Sequence, residues 1–188
     1  MKRTIGIVIT LFLFAGCSAV QYRDVNEDSG SREWGPKEIK VTVGKMVGSM
    51  YSFLKNEWKK ASFIEVKRFR NKTSEHIDTK MISDEITTNL IRKRIKFIDQ
   101  SLNKEAIKEM EKGMTGLVDQ DSAIPTGMLK SPNFYLTGDI RDNVRTSKGK
   151  RLQYLVVTLK LVSLKTNIVE WQDQQQFLKA TSKKKISF

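Results

Sequence analysis

Apolar residues recur at steps of three and four through Ile39, Val43, Met46, Val47, Met50, Phe53, Leu54 and Trp58. That spacing predicts one buried stripe of a helix starting at Pro36, a residue suited to a first helical turn. The period then shortens. Residues 63–69 alternate in part and read as a strand, and the polar stretch Arg70-Asn71-Lys72-Thr73-Ser74-Glu75-His76 reads as a loop. Met81, Ile82, Ile86, Leu90 and Ile91 form the stripe of a second helix, with Asp78 or Thr79 as its cap. Phe97-Ile98-Asp99 predicts a short strand, and residues 104–112 a third helix that Gly113 closes. Gly113, Gly116, Pro125, Gly127 and Pro132 predict a long loop over 113–133. From Phe134 onward the period is that of strands, over 134–140, 152–164 and 168–178, with Lys165-Thr166-Asn167 as the last turn. Helices first and a strand meander afterwards argue an α+β fold, a small mixed sheet with helices packed on one face. The chain has no internal repeat.

The first residues follow another logic. Met1-Lys2-Arg3 precedes an apolar run from Ile5 to Phe14, which ends at Ala15-Gly16-Cys17. A basic start, about ten apolar residues and a small-residue end make a signal peptide, shorter than the roughly 20 residues of a spanning helix. The Ala-Gly-Cys triplet resembles a bacterial lipobox, which implies that Cys17 is the lipid-attachment residue. Cys17 is the only cysteine, so no disulfide framework is available to the mature domain. Lipidation with several acyl chains anchors stably, at about 0.8 kcal/mol per buried methylene. By the usual sorting rule Ser18 favours the outer membrane. Residues 18–36 are polar and aperiodic, a tether with a reach on the order of 60 Å. The chain thus divides into a signal peptide (1–16), a lipidated cysteine with its tether (17–36), a globular domain (37–180) and a basic tail (181–188).

Charge adds little chemistry. The formal net charge is +13, and about +11 once Lys2 and Arg3 leave with the signal. Such a balance favours an acidic partner surface or an anionic polymer. Export and the lack of a compact basic-aromatic motif exclude nucleic acid. Apart from Arg92-Lys93-Arg94 and Lys183-Lys184-Lys185, the basic residues are spread along the chain. Catalysis has little to work with: one histidine, His76, in a polar stretch, and no H-E-x-x-H, G-x-S-x-G, P-loop or G-x-G-x-x-G pattern. No catalytic residue, metal ligand or cofactor is expected. The mature chain reads as a binding module.

Residues 70–76 are the most distinctive polar segment. Asn71, Thr73 and His76 suit bonds to a turn backbone, and the segment also lies at an end of the sheet where partners often dock. Arg70, Asn71, Thr73, Glu75 and His76 are therefore the candidate contact residues.

Several stretches taken in order resemble one family. They are Glu33-Trp34-Gly35, then Asn71-Lys72-Thr73-Ser74-Glu75-His76-Ile77-Asp78, Phe97-Ile98-Asp99 and Tyr135-Leu136-Thr137-Gly138-Asp139-Ile140. The closing run is Leu159-Lys160-Leu161-Val162-Ser163-Leu164-Lys165-Thr166-Asn167-Ile168-Val169-Glu170-Trp171. From about Trp34 to Lys179 the chain resembles the LpoB-type lipoproteins, activators of penicillin-binding proteins. The resemblance implies an outer-membrane lipid anchor, a protein that faces the periplasm, and a domain similar to the N-terminal domain of TolB. It also implies a partner, a class A penicillin-binding protein whose peptidoglycan synthesis the lipoprotein stimulates without chemistry of its own. Trp171 is expected in the core, and Trp34 in the core or at a contact. Two departures stand out: a short tether nearly free of proline, and Ala123-Ile124-Pro125-Thr126-Gly127-Met128-Leu129-Lys130 where family members place a helix. An alternative reading keeps the domain and gives it a different partner in envelope assembly or surface binding.

Overall fold

A computed structural model describes residues 35–147 and 150–182. The signal peptide, Cys17, the tether up to Trp34 and the basic tail from residue 183 onward lie outside the described residues.

Helix α1 (Pro36–Phe53) begins after Gly35, whose N–H donates to Glu38 Oε2 at 3.1 Å. Its stripe is buried at Ile39, Val43, Met46, Val47 and Met50, each such side chain contributing about 1.5–3 kcal/mol. A single wide turn of π geometry, Leu54–Trp58, carries the stripe further. There Trp58 packs edge-on to Phe134, 5.0 Å between ring centres. Strands β1 (Phe63–Val66) and β2 (Arg70–Lys72) follow, then α2 (Thr79–Arg92) and β3 (Lys96–Phe97). A short turn (Gln100–Leu102), α3 (Asn103–Met114) and three long strands complete the chain: β4 (Phe134–Ser147), β5 (Lys150–Ser163) and β6 (Val169–Ser182).

The sheet is mixed, as the α+β expectation requires. Its order is β3-β1-β4-β5-β6, with β2 lying beside β4 further along the edge that β1 occupies. The pairs β1–β3, β1–β4 and β2–β4 are parallel, and β4–β5–β6 is an antiparallel meander. On the inner face Phe134, Leu136, Ile140, Leu155, Val157, Leu159 and Leu161 join the stripes of α1 and α2 in one core. Trp171 is half-buried against that core, where its aromatic bulk was expected. Gly138 sits where β4 passes under Phe69. A Cβ there would lie 2.4 Å from the Phe69 ring and 2.3 Å from the Thr158 carbonyl oxygen.

Four expectations change. Arg70–Lys72 is a strand rather than a loop, because its backbone pairs with Asp139, Ile140 and Arg141 although its side chains are exposed. Met81 and Ile91 are exposed, so α2 buries only Ile82, Ile86 and Leu90. Gly113 lies inside α3, bare so that Ala123 can approach. The left-handed turn comes later, at Gly116 with φ +75°. Strand β4 runs to Ser147, seven residues past Ile140, because polar residues on an open sheet face need no apolar alternation. Between Met114 and Phe134 the described residues form turns, with neither helix nor strand.

Candidate functional site

The segment singled out in sequence is gripped from both faces of β4. On the outer face, the one away from the helices, Asp139 is buried among cations. Arg141 Nε and Nη2 donate to its two oxygens at 3.1 and 3.2 Å. Arg70 and Lys72 reach the same carboxylate from β2 at 3.7 and 3.6 Å. Burial pushes the Asp139 carboxyl up, but the Arg141 hydrogen bond with the Arg141, Lys72 and Arg70 charges outweighs it and leaves it below the ordinary carboxylate range. Three cations around one anion leave this patch net positive.

Past β2, Asp142 holds the turn. Ser74 donates its N–H at 3.2 Å and its hydroxyl at 2.7 Å to Asp142, and the buried Gln153 amide donates at 3.0 Å. Burial again pushes this carboxyl up, and the Ser74 and Gln153 hydrogen bonds hold it low overall.

Of the candidate contacts, Asn71 and Thr73 build the turn itself. Asn71 Oδ1 accepts from the Thr73 N–H (2.9 Å) and hydroxyl (2.7 Å), while Asn71 Nδ2 donates to the Glu75 carbonyl (2.8 Å). Glu75 points inward, with Oε1 3.9 Å from Arg151 and Oε2 buried without a hydrogen-bond partner among the described residues. Asp78, the N-cap of α2, accepts from the Lys80 N–H at 2.8 Å. Arg70 and His76 are exposed and, with Arg68 and Lys72, line a cavity of about 620 Å³ beside β2. Asn71 is exposed on the same cavity while bonding the turn, and the half-buried Thr73 and Glu75 shape the segment from within.

The outer face continues along the β4–β5 hairpin. Register places Asn143, Tyr154 and Leu178 in one row across β4, β5 and β6, beside the row that holds Arg141. Tyr154 is 39% exposed and Leu178 67%. With Leu152 and Arg145 they line a groove of about 300 Å³ whose one basic residue is Arg145. Asp139, Arg141, Asp142, Tyr154 and Leu178 were not singled out from sequence. The available signal was a pair of carboxylates and an exposed Leu inside runs otherwise patterned as strand.

Chemically, this face can bind and orient, through one apolar groove beside one cationic patch. Among the described residues no group of three His, Cys, Asp or Glu side chains is placed to hold a metal. No helix among them is long and apolar enough to cross a membrane.

Residues 38–177 match the family described as peptidoglycan-synthase activator LpoB. The chain belongs to the LpoB family. Solved LpoB structures are distant relatives. The C-terminal domain from Escherichia coli is 11% identical with a TM-score of 0.44, covering 72% of this chain and 97% of that one. The C-terminal domain from Salmonella enterica is 9% identical with a TM-score of 0.42, covering 75% and 96%. The NMR structure of E. coli LpoB is 12% identical with a TM-score of 0.45, covering 95% and 84%. No curated protein matches the chain significantly by sequence. As an LpoB-family chain it belongs among activators of peptidoglycan synthases.

Proposed function

We propose that this chain is an outer-membrane lipoprotein, lipidated at Cys17, that binds and activates a bifunctional peptidoglycan synthase of the class A penicillin-binding type. The observation that carries this reading is the family match over residues 38–177. The domain works by docking and leaves the chemistry to the synthase. Its docking face is the outer side of the β4–β5–β6 meander. There Tyr154 and Leu178 offer the apolar anchor and Arg70, Arg141 and Arg145 the charge that selects and orients an acidic rim. Asn71, Thr73 and Glu75 hold Arg70 and His76 in place rather than touch the partner. The lipid anchor and tether restrict the domain to the periplasmic side of the outer membrane.

The test is affinity capture from detergent-solubilised envelopes with the full chain as bait. Enrichment of a bifunctional synthase, and faster glycan polymerisation by that synthase when the chain is added, is the expected result. Capture without a synthase, or binding without stimulation, contradicts it.

A further inference from the structure

The end of the domain farthest along α1 from Gly35 carries a second cationic feature, separate from the docking face. The π turn closing α1, the start of β1, the last turn of α2 and the start of β3 meet there. They bring Lys55, Lys59, Lys60, Arg92, Lys93, Arg94 and Lys96 to one region. Five of these, Lys55, Lys60, Lys93, Arg94 and Lys96, line a groove of about 210 Å³ floored in part by Tyr51. Lys55 and Lys93 share that one ring, at 5.9 and 5.3 Å from its centre, while Lys60 lies over Trp58 at 5.5 Å and Lys96 over Phe63 at 5.1 Å. No carboxylate lines the groove. Among the described residues none of the seven cations is within 4.0 Å of a carboxylate oxygen.

Helix ends do not account for this. The C-terminus of a helix is equivalent to about half a negative charge, so two such ends balance about one of the seven cations. The backbone carries a second signal. Lys59 (φ 54°) and Arg94 (φ 59°) take left-handed conformations at the ends of their helices, a position where glycine is usual because it has no Cβ. Elsewhere among the described residues the left-handed positions are Gly116, Gly127 and Asn167. Among the described residues, long cationic side chains take left-handed backbone only at Arg94 in the groove and at Lys59, the neighbour of its Lys60, the kind of strain that functional sites hold. The wall is also fixed: the Phe63 N–H donates to Asn133 Oδ1 at 2.8 Å, and Asn133 Nδ2 donates to the Ala61 carbonyl at 2.9 Å.

We infer that the groove lined by Lys55, Lys60, Lys93, Arg94 and Lys96 beside Tyr51 binds a phosphate or pyrophosphate group, free or carried by a lipid headgroup. Five cations lining one groove call for an anion with more than one charge, which a single carboxylate does not supply. Four of the five are lysines, compact point charges that approach separate phosphate oxygens. The groove is remote in the fold from the docking face, so its ligand and the synthase are separable in experiment.

The test uses the full chain in detergent at about 0.15 M salt, titrated calorimetrically with sodium pyrophosphate. In parallel the full chain carrying Cys17→Ala, which removes the proposed lipid anchor, is floated with phosphatidylcholine vesicles made with and without phosphatidylglycerol. The decisive variant is Lys59→Gly with Arg94→Gly, which relieves the strained backbone. We expect a Tm no lower than that of the parent chain and at least a tenfold weaker pyrophosphate affinity. The control pair, Lys80→Gln with Lys112→Gln, removes the same charge elsewhere and should leave binding unchanged. Phosphatidylglycerol-dependent flotation that the glycine pair abolishes identifies a lipid headgroup as the source. Pyrophosphate binding without such flotation identifies a soluble phosphate. Unchanged affinity in the glycine pair, an equal loss in the control pair, or no binding by either probe overturns the inference.

Discussion

Ser74 gives both its backbone N–H and its hydroxyl to Asp142, joining the turn after β2 to the middle of β4 across 68 positions of sequence. Asp142 also accepts from the buried Gln153 amide. Replacing it with Ala strands a buried donor, and leaving one unsatisfied costs about 1–3 kcal/mol. Ser74→Ala, which removes only the hydroxyl bond, should cost about 1 kcal/mol. Urea unfolding of the two single variants and the double variant checks this. The double should lose less than the sum of the singles.

Acid should loosen the same region first. Asp139 and Asp142 both sit below the ordinary carboxylate range in the fold, so the native state binds fewer protons than the unfolded chain. Their contribution is present above the unfolded value of about 3.9 and is lost as pH falls through the lower folded values. Unfolding free energies measured from pH 7 down to pH 2 should fall below about pH 4. The fall should be shallower in Asp139→Asn and Asp142→Asn.

Gly138→Ala should damage the fold more than any surface change. The added Cβ meets a backbone oxygen at 2.3 Å and the Phe69 ring at 2.4 Å, and the oxygen belongs to the paired strand β5 and cannot swing aside. Overpacking of this kind costs about 1–3 kcal/mol. A drop in Tm of several degrees is the expected reading. An unchanged Tm would mean that β4 and β5 separate more easily than their pairing implies.

The docking face is tested without touching the core. Tyr154→Ala and Leu178→Glu change exposed side chains, and such changes usually alter stability by less than about 0.5 kcal/mol. If the groove receives an anchor from the synthase, each should weaken capture by about 30-fold, the equivalent of about 2 kcal/mol. Thermal melts run alongside keep folding and binding apart.

Cys17→Ala tests the proposed anchor. The variant should lose metabolic acyl labelling and leave the membrane fraction. Retention of both places the attachment elsewhere.

The helices were legible because their burial is periodic: the α1 stripe from Ile39 to Trp58 and the trio Ile82, Ile86 and Leu90 each fall on one face. Strand β2 was not legible. Arg70, Asn71 and Lys72 are all exposed, and the strand exists through backbone pairing with β4, which leaves no mark on side-chain pattern. The same long-range pairing decides the candidate site. Residues 70–76 stood out as polar, but what gives Arg70 and Ser74 their roles are Asp139 and Asp142, placed opposite only when β2 docks. Met81 and Ile91 misled because an apolar residue on an open helix face carries the same letter as one in the core.

The ion pair between Glu38 at the start of α1 and Lys179 near the end of β6, at 3.3 Å, acquires a mechanical sense under the tether proposed above. Tension arriving from residues before Gly35 enters at that joint and runs lengthwise down α1. The load therefore falls as shear on the seam between first helix and last strand. Strand β2 and the Asp142 latch lie off that seam, whereas Leu178 of the proposed docking groove adjoins it, next to Lys179.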